Sequence, residues 1–521
     1  MAAVNPFFSF LLLFSIFFPL SASQPPRSYL IDCGATVSRV ISGRKWLPDG
    51  DFIAAGAPKN LSLSVLDSTL STVRTFPVGN NNNSFRKFCY VVPVYRGRKY
   101  MVRTTYFYGG VNGNAHPNPP VFDQIVAGTP WAVVNTTEDY LNGMSSYYEG
   151  VFLAAGKTMS VCLGANKYTD SDPFISALEL VLLPESLYNS TDFTQYGFSL
   201  IARHTFGHTG PIIQYPADQF DRFWAPFGDH SPALNSGKVS VSGIWNQPPI
   251  DVFQTGLTAS EESEAMELLW PPYPLPSATY YVALYFANDR DSPSGRSLFD
   301  ISLNGVPFYH NLSVTADGVM VFANQWPLSG ITNVTLTRAP GSTVAPLINA
   351  GEVFRVLPLG GKTHTRDVIA LEKLKEGFEN PPLDWNGDPC LPPQYSWTGV
   401  VCSGGTRIRV TTLNLTGMGL SGMLSSSIAN LTALSGIWLG NNDLSGSTPD
   451  LSSLKRLEIL HLEDNQIGGE IAPSLGRIKS LRELFLQNNN LTGQIPGSIL
   501  GRPGINLRTT PGNPFLSGPP A

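Results

Sequence analysis

Charged side chains are scarce: Asp, Glu, Lys and Arg make up 14% of the 521 residues, with no long run of either sign. The 34 basic and 39 acidic residues leave a net charge of −5, so neither nucleic acid nor an anionic membrane surface is an expected partner. Catalytic signatures with a fixed local form are missing as well. There is no G-x-S-x-G nucleophile elbow, no phosphate-binding loop and no zinc-protease His-Glu motif. A glycosidase stays open as an alternative, because its two carboxylates need not be close in sequence. No reaction-class constellation emerges, so the chain reads as a binding protein rather than an enzyme, and no cofactor or metal is expected. Beyond Ser23 no apolar run reaches the length that crosses a bilayer.

Turn formers and aromatics are abundant, with 49 Gly, 43 Pro and 11% Phe, Trp and Tyr. That mixture suits β-sandwiches with many turns, and the length calls for several domains. Residues 7–20 (FFSFLLLFSIFFPL), followed by Ser21, Ala22 and Ser23, have the form of a signal peptide over 1–23, a membrane anchor being the competing reading. Export agrees with nine sequons, at Asn60, Asn82, Asn135, Asn189, Asn311, Asn333, Asn414, Asn430 and Asn490. An oxidising compartment favours disulfides, yet the five cysteines leave one thiol over. Cys390 and Cys402, close together and far from the rest, are expected to pair. Of the early three, Cys89–Cys162 is the favoured bridge, with Cys33 buried and free.

From Val410 the chain repeats every 23–24 residues. The L-x-L pairs are Leu413/Leu415, Ile437/Leu439, Leu460/Leu462 and Leu484/Leu486, followed by Asn442, Asn465 and Asn489. The first repeat departs, with Met418 in the Asn position, and Gly422, Gly446, Gly469 and Gly493 close each period. This is a leucine-rich-repeat solenoid over 410–504: each coil buries its leucines only by stacking on a neighbour, and the Asn side chain satisfies turn backbone. Residues 367–378 place Val368, Leu371, Leu374 and Phe378 at helical spacing, which predicts an N-terminal cap closed by Trp385, Cys390, Trp397 and Cys402.

Upstream, strands such as 99–108 and 279–286 alternate with turn clusters, and the region repeats itself. Phe122-Asp123 with Gly128 matches Phe299-Asp300 with Gly305, and Pro173–Glu179 matches Pro346–Glu352. Two β-domains of one kind are expected, 24–184 and 185–360, followed by a linker and cap over 361–409 and a Pro/Gly-rich tail over 505–521.

The run Tyr29-Leu-Ile-Asp-Cys-Gly34, the segment His204-Thr-Phe-Gly-His208 leading to Tyr215–Trp224, and Trp385-Asn-Gly-Asp-Pro-Cys390 resemble plant malectin-like/leucine-rich-repeat receptors, most of all the kinase-lacking receptor-like protein 4 group. The resemblance implies a mostly β chain: two tandem malectin-like β-sandwich domains, then a short solenoid with a helical, disulfide-held cap. It implies an extracellular recognition part of a plant receptor-like protein at the plasma membrane or in the cell wall. Expected partners are a peptide, a co-receptor protein or a cell-wall glycan, with membrane contact only through a segment absent from this sequence. The alternative is a soluble wall lectin or an enzyme-inhibiting repeat protein.

Residues between the repeat leucines point out of the concave face, giving one column Asn414, Trp438, His461, Phe485 and a second Thr416, Gly440, Glu463, Gln487. With strands about 4.8 Å apart, the aromatics form a continuous ridge suited to a protein or peptide, or one covered by the chain's own β-domains. A glycan on Asn414 would crowd it. A sugar site is the other inherited expectation, but the loops 109–115 and 288–293 lack the aromatic pair of animal malectin. Tyr106, Tyr108, Tyr285 and Phe286 precede those loops and read as packing. His204 and His208 lack further ligands at metal-binding spacing, and Glu261, Glu262 and Glu264 read as a solvated face.

Overall fold

The computed structural model describes residues 26, 28–61, 70–78, 86–228, 232–234, 239–260, 264–289 and 297–517. The expected signal peptide, Asn82, Glu261, Glu262, positions 290–293 and the last four residues lie outside them.

The two β-domains share one floor. A long sheet runs in the order Arg39–Ile41, Arg44–Pro48, Ser28–Asp32, Ala177–Leu182, Lys99–Tyr106, Ser146–Leu153, Tyr196–Phe206, Ala350–Pro358, Leu275–Phe286 and Val319–Gly330. Pairing crosses from the first domain to the second at Gly150↔Ser199 and Val151↔Phe198. Gly150 permits that approach, because a Cβ there would lie 2.5 Å from the Phe198 carbonyl oxygen. A four-stranded sheet packs on each half of the same face: 87–93, 158–165, 122–126 and 129–134 in the first domain, 265–269, 333–338, 297–303 and 306–314 in the second. Both contain the same hairpin, with two successive positive-φ residues, Ala127-Gly128 and Asn304-Gly305, at the corners the internal repeat marked.

Alternation along the floor strands separates the cores. Tyr100, Val102 and Tyr106 enter the first sandwich, and Tyr280, Val282 and Leu284 enter the second. Met101, Tyr281, Tyr285 and Phe354 face the opposite side, where Tyr188 and Phe193, Trp224, and Val252 and Phe253 pack across the sheet from the segments before and after Tyr196–Phe206. The central strands are therefore covered on both faces, and charged side chains on them are buried. Three guanidiniums, Arg44, Arg103 and Arg203, meet four carboxyl groups, Glu149, Glu179, Asp221 and Glu352. Burial pushes the Glu179 carboxyl up to about 7. Glu179 and Glu352 hold corresponding places in the two copies of the Pro-x-x-x-Ala-x-Glu repeat.

Bridges join Cys89 to Cys162 across adjacent strands and Cys390 to Cys402 in the cap; Cys33 is free and buried. The cap helix Thr365–Gly377 buries Ala370, Leu371 and Leu374, and Asp367 takes a two-pronged contact from Arg409, at 2.8 and 3.0 Å. Trp385 and Trp397 stack with centroids 5.1 Å apart. This cap docks on the outer face of the first domain. Gly387 lies against the Cys89–Cys162 sulfurs, Tyr395 donates its hydroxyl to Asp123 at 2.8 Å, and Lys87 donates to the carbonyls of Asp388 and Leu391. Burial lowers the Lys87 ammonium to about 8.

The repeat strands Val410–Asn414, Gly436–Trp438, Ile459–His461 and Glu483–Phe485 are parallel, preceded by the antiparallel Val400–Cys402. A fifth parallel strand, Asn506–Arg508, follows, and Phe515–Ser517 continues the back of the stack. The segment expected as a tail from 505 is thus a further coil as far as Ser517. Asn513 completes it, accepting from the Leu491 amide at 3.0 Å and donating to the Leu486 carbonyl at 2.8 Å.

Candidate functional site

Glycine and asparagine prepare the concave face of the repeats. Each ladder Asn bridges two coils; Asn465 accepts from the Leu444 amide at 3.0 Å and donates to the Leu439 and Leu462 carbonyls at 3.0 and 3.2 Å. Backbone spacing is thereby fixed, and register places Asn414, Trp438, His461, Phe485 and Arg508 in one row. Gly436 lets the Trp438 indole lie flat, since a Cβ there would sit 2.2 Å from the ring.

The row is one connected surface. The Trp438 and His461 rings meet edge to face at 6.2 Å, and His461 stacks on Phe485 at 4.1 Å with 10° between planes. Arg508 covers the far side of Phe485, its guanidinium 4.3 Å from the ring centre. His461 Nε2 donates to Glu483 Oε2 at 3.0 Å, which fixes the imidazole plane. Trp438, His461 and Phe485 are half-buried, and Asn414 and Arg508 are exposed. The second column lies beside it: Thr416 exposed, Glu463 and Gln487 half-buried, with the Glu463 carboxylate filling the space left by Gly440. Flat apolar rings, one cation and fixed carboxylates can clamp a peptide segment, but they form no acid–base pair around a cavity.

Among the described residues, the hydrogen bonds and close contacts that tie the β-domains to the repeat part fall on the cap at 386–395 rather than on this row. Arg508 and Glu483 are the residues sequence reasoning missed. Leu507-x-Thr509 breaks the L-x-L pattern, whereas Asn513, 24 residues after Asn489, carried the signal.

Other candidates separate. Tyr106, Tyr108, Tyr285 and Phe286 are core side chains, with at most 1% exposure. The loop 109–115 borders a polar cleft of about 580 Å³ that includes Lys59, Asn112, His116, Asp170 and Asp172. His204 accepts at Nδ1 from Trp270 Nε1 at 2.9 Å, and burial lowers its pKa to about 4; His208 instead contacts the Pro211 carbonyl at 3.0 Å. Among the described residues no group of three or more His, Cys, Asp or Glu is placed to hold a metal. Asn60, Asn135, Asn189, Asn311, Asn414, Asn430 and Asn490 are exposed, while Asn333 is half-buried. Glu264 is exposed. Among the described residues no helix is long and apolar enough to cross a membrane.

A double β-sandwich on a shared sheet, docked to a capped repeat stack that carries an aromatic row, is the architecture of malectin-like domains joined to leucine-rich repeats. Comparison with known families assigns it. The malectin-like domain model matches residues 31–356, the leucine-rich-repeat N-terminal domain matches 364–403, and the leucine-rich repeat matches 456–478 and 480–501. The chain belongs to the malectin-like family, in its leucine-rich-repeat branch. It is similar to a probable LRR receptor-like serine/threonine-protein kinase of Arabidopsis thaliana, at 30% identity over 87% of this chain and 50% of the relative. A leucine-rich-repeat receptor-like serine/threonine-protein kinase of the same plant is 30% identical over 80% of this chain and 48% of the relative. The chain thus spans about half the length of these curated relatives. Among solved structures, the ANX2 ectodomain of Arabidopsis thaliana superposes with a TM-score of 0.52 at 14% identity, covering 63% of this chain and 96% of that one. A complex of the plant peptide RALF23 with FER and LLG2 gives 0.51 at 17% identity, covering 64% and 96%.

Proposed function

We propose that the chain is the extracellular recognition part of a plant receptor-like protein, acting without catalysis at the cell surface, and that its concave row receives a peptide or partner receptor. The observation that carries this reading is the unbroken stack Trp438–His461–Phe485–Arg508, held at strand spacing, its rings half-exposed and its arginine exposed. Aromatic rings with an arginine are the side chains that dominate protein interfaces: the rings bury large area with few rotatable bonds, and the guanidinium stacks on rings while offering several donors. The kinase relatives support a receptor role, and a fold neighbour solved with the peptide RALF23 supports a peptide ligand.

Biolayer interferometry of the full chain against synthetic plant peptides, RALF23 among them, with and without LLG2, tests the row. For the bound peptide, Trp438→Ala with Phe485→Ala is expected to weaken affinity at least about thirtyfold, the scale of an interface hot spot of ~2 kcal/mol. An unchanged dissociation constant in a double variant with wild-type circular dichroism refutes the assignment.

A further inference from the structure

Charge is unevenly placed around the repeat stack. Residues 439–452 and 462–475 carry five carboxyl groups, Asp443, Asp450, Glu463, Asp464 and Glu470, and no Lys or Arg. The flank that leads up into the concave strands is the reverse. Residues 453–459, 476–483 and 500–502 hold six cations, Lys455, Arg456, Arg477, Lys479, Arg482 and Arg502, against two carboxylates. Of those two, Glu483 is already engaged by His461, which leaves Glu458. On a chain whose net charge is −5, this flank is a local inversion of sign.

The fold sets the cations in order. Lys455, Lys479 and Arg502 each stand five residues before an inward leucine, and those leucines, Leu460, Leu484 and Leu507, pair in register from coil to coil. The three positions therefore form a ladder along the stack, at about 4.8 Å per step. Hydrogen bonds hold the rungs together. Ser480 Oγ donates to the Lys455 and Leu457 carbonyls at 3.0 and 2.7 Å, and Arg502 donates to the Ile478 carbonyl at 2.6 Å. Lys455, Arg456, Arg477, Lys479 and Arg482 are exposed, and Arg502 is half-buried. Among the described residues none of the six forms an ion pair. Like charges held this close repel one another, and an anionic ligand relieves that repulsion.

The surroundings select the kind of anion. Over residues 453–483 no large apolar side chain is exposed, so the flank lacks the anchor on which a specific protein interface depends. A small anion would engage one or two rungs. A linear polymer with a charge on every unit engages the whole ladder. Ser453 and Ser480 each donate their hydroxyl hydrogen to a backbone carbonyl, which leaves their oxygens to accept from a ligand that carries hydroxyls. A polyuronate has both features, one carboxylate on each ring and hydroxyls beside it. No sequon falls between 431 and 489, so an N-linked glycan has no attachment point on this stretch of the flank.

We propose that the basic flank of the repeats binds an acidic polysaccharide of the polyuronate class, laid along the stack across Lys455, Lys479 and Arg502. The site belongs to the repeats rather than the sandwiches. It does not depend on the peptide row, so either assignment can fail alone.

Biolayer interferometry of the full chain against an immobilised α-1,4-oligogalacturonate tests it, with the fully methyl-esterified oligomer as neutral control and an oligoglutamate as acidic peptide. The oligogalacturonate is expected to bind, and to lose at least about tenfold in affinity between about 0.05 and about 0.2 M salt. Lys455→Glu with Lys479→Glu should weaken it at least about tenfold. Lys362→Glu with Lys373→Glu, the same charge change at exposed positions in the linker and cap helix, should leave it within about twofold, as should the Trp438/Phe485 double substitution. Circular dichroism confirms that each variant is folded. No binding, binding that survives the flank substitutions, or an equal loss in the linker and cap variant overturns the proposal. So does equal affinity for the methyl ester or tighter binding of the oligoglutamate.

Discussion

His204 gives the sharpest test of the buried interior. Its ring lies between strand and loop, 5.2 Å from Phe227, and accepts a hydrogen bond from Trp270 at Nδ1. A protonated imidazole cannot accept, so the fold binds the neutral form, and burial lowers the pKa from 6.5 to about 4. In the unfolded chain the group takes up a proton as pH drops below about 6.5, whereas the folded chain resists until about 4. Stability attributable to this histidine is therefore complete above about pH 6.5 and lost as pH falls toward 4. The loss amounts to about 1.4 kcal/mol at pH 5.5 and about 2.5 kcal/mol at pH 4.5, approaching ~3 kcal/mol below that. His204→Asn keeps an acceptor near Nδ1 and removes the titration. Urea denaturation followed by tryptophan fluorescence, run on both proteins at about pH 7, 5.5 and 4.5, isolates the histidine because every carboxylate contributes equally to both. The wild type should lose stability relative to the variant by these increments. Parallel pH profiles would refute the argument, as would a variant that becomes the more acid-sensitive of the two.

Two further outcomes follow from buried polar groups. Asn465→Leu strands the Leu444 amide inside the stack, while the Leu439 and Leu462 carbonyls keep Asn442 and Asn489 as donors; it should lower unfolding free energy by about 2 kcal/mol, while Asn490→Ala, on the exterior, stays within about 0.5. Equal denaturation midpoints for the two variants would contradict the ladder. Arg103→Met leaves Glu149, Glu179 and Asp221 without their shared cation and should cost about 3–5 kcal/mol by the same assay, a loss below about 1 kcal/mol being incompatible with a fully buried cluster.

The solenoid was legible because its period is local: leucines two apart and an asparagine five residues after the first recur within each coil. The fifth coil escaped because Thr509 replaces the second leucine, although the asparagine spacing still marks it. The internal repeat of the β-region also came through, since the two hairpins and the two buried glutamates recur in order. What the sequence did not reveal is how the halves join. The pairing of 146–153 with 196–206 uses backbone, and only Gly150 hints at it.

The dimensions of the row limit what it can do by itself. From Trp438 to Arg508 it spans three inter-strand steps, about 14 Å at ~4.8 Å each, enough for roughly four residues of extended peptide at ~3.3 Å per residue. Such a contact covers well under the ~800 Å² per partner of a stable interface. Tight binding at this row therefore requires additional surface, from a second protein or from the sandwiches tied to the cap. The sandwiches can serve, because their placement is fixed: Lys87, Tyr395 and the Gly387–disulfide contact tie the cap to the first domain, and one sheet ties the first domain to the second. A ligand spanning row and sandwich would meet both at a set distance, so little entropy is lost in ordering them, and two modest contacts add as one strong one.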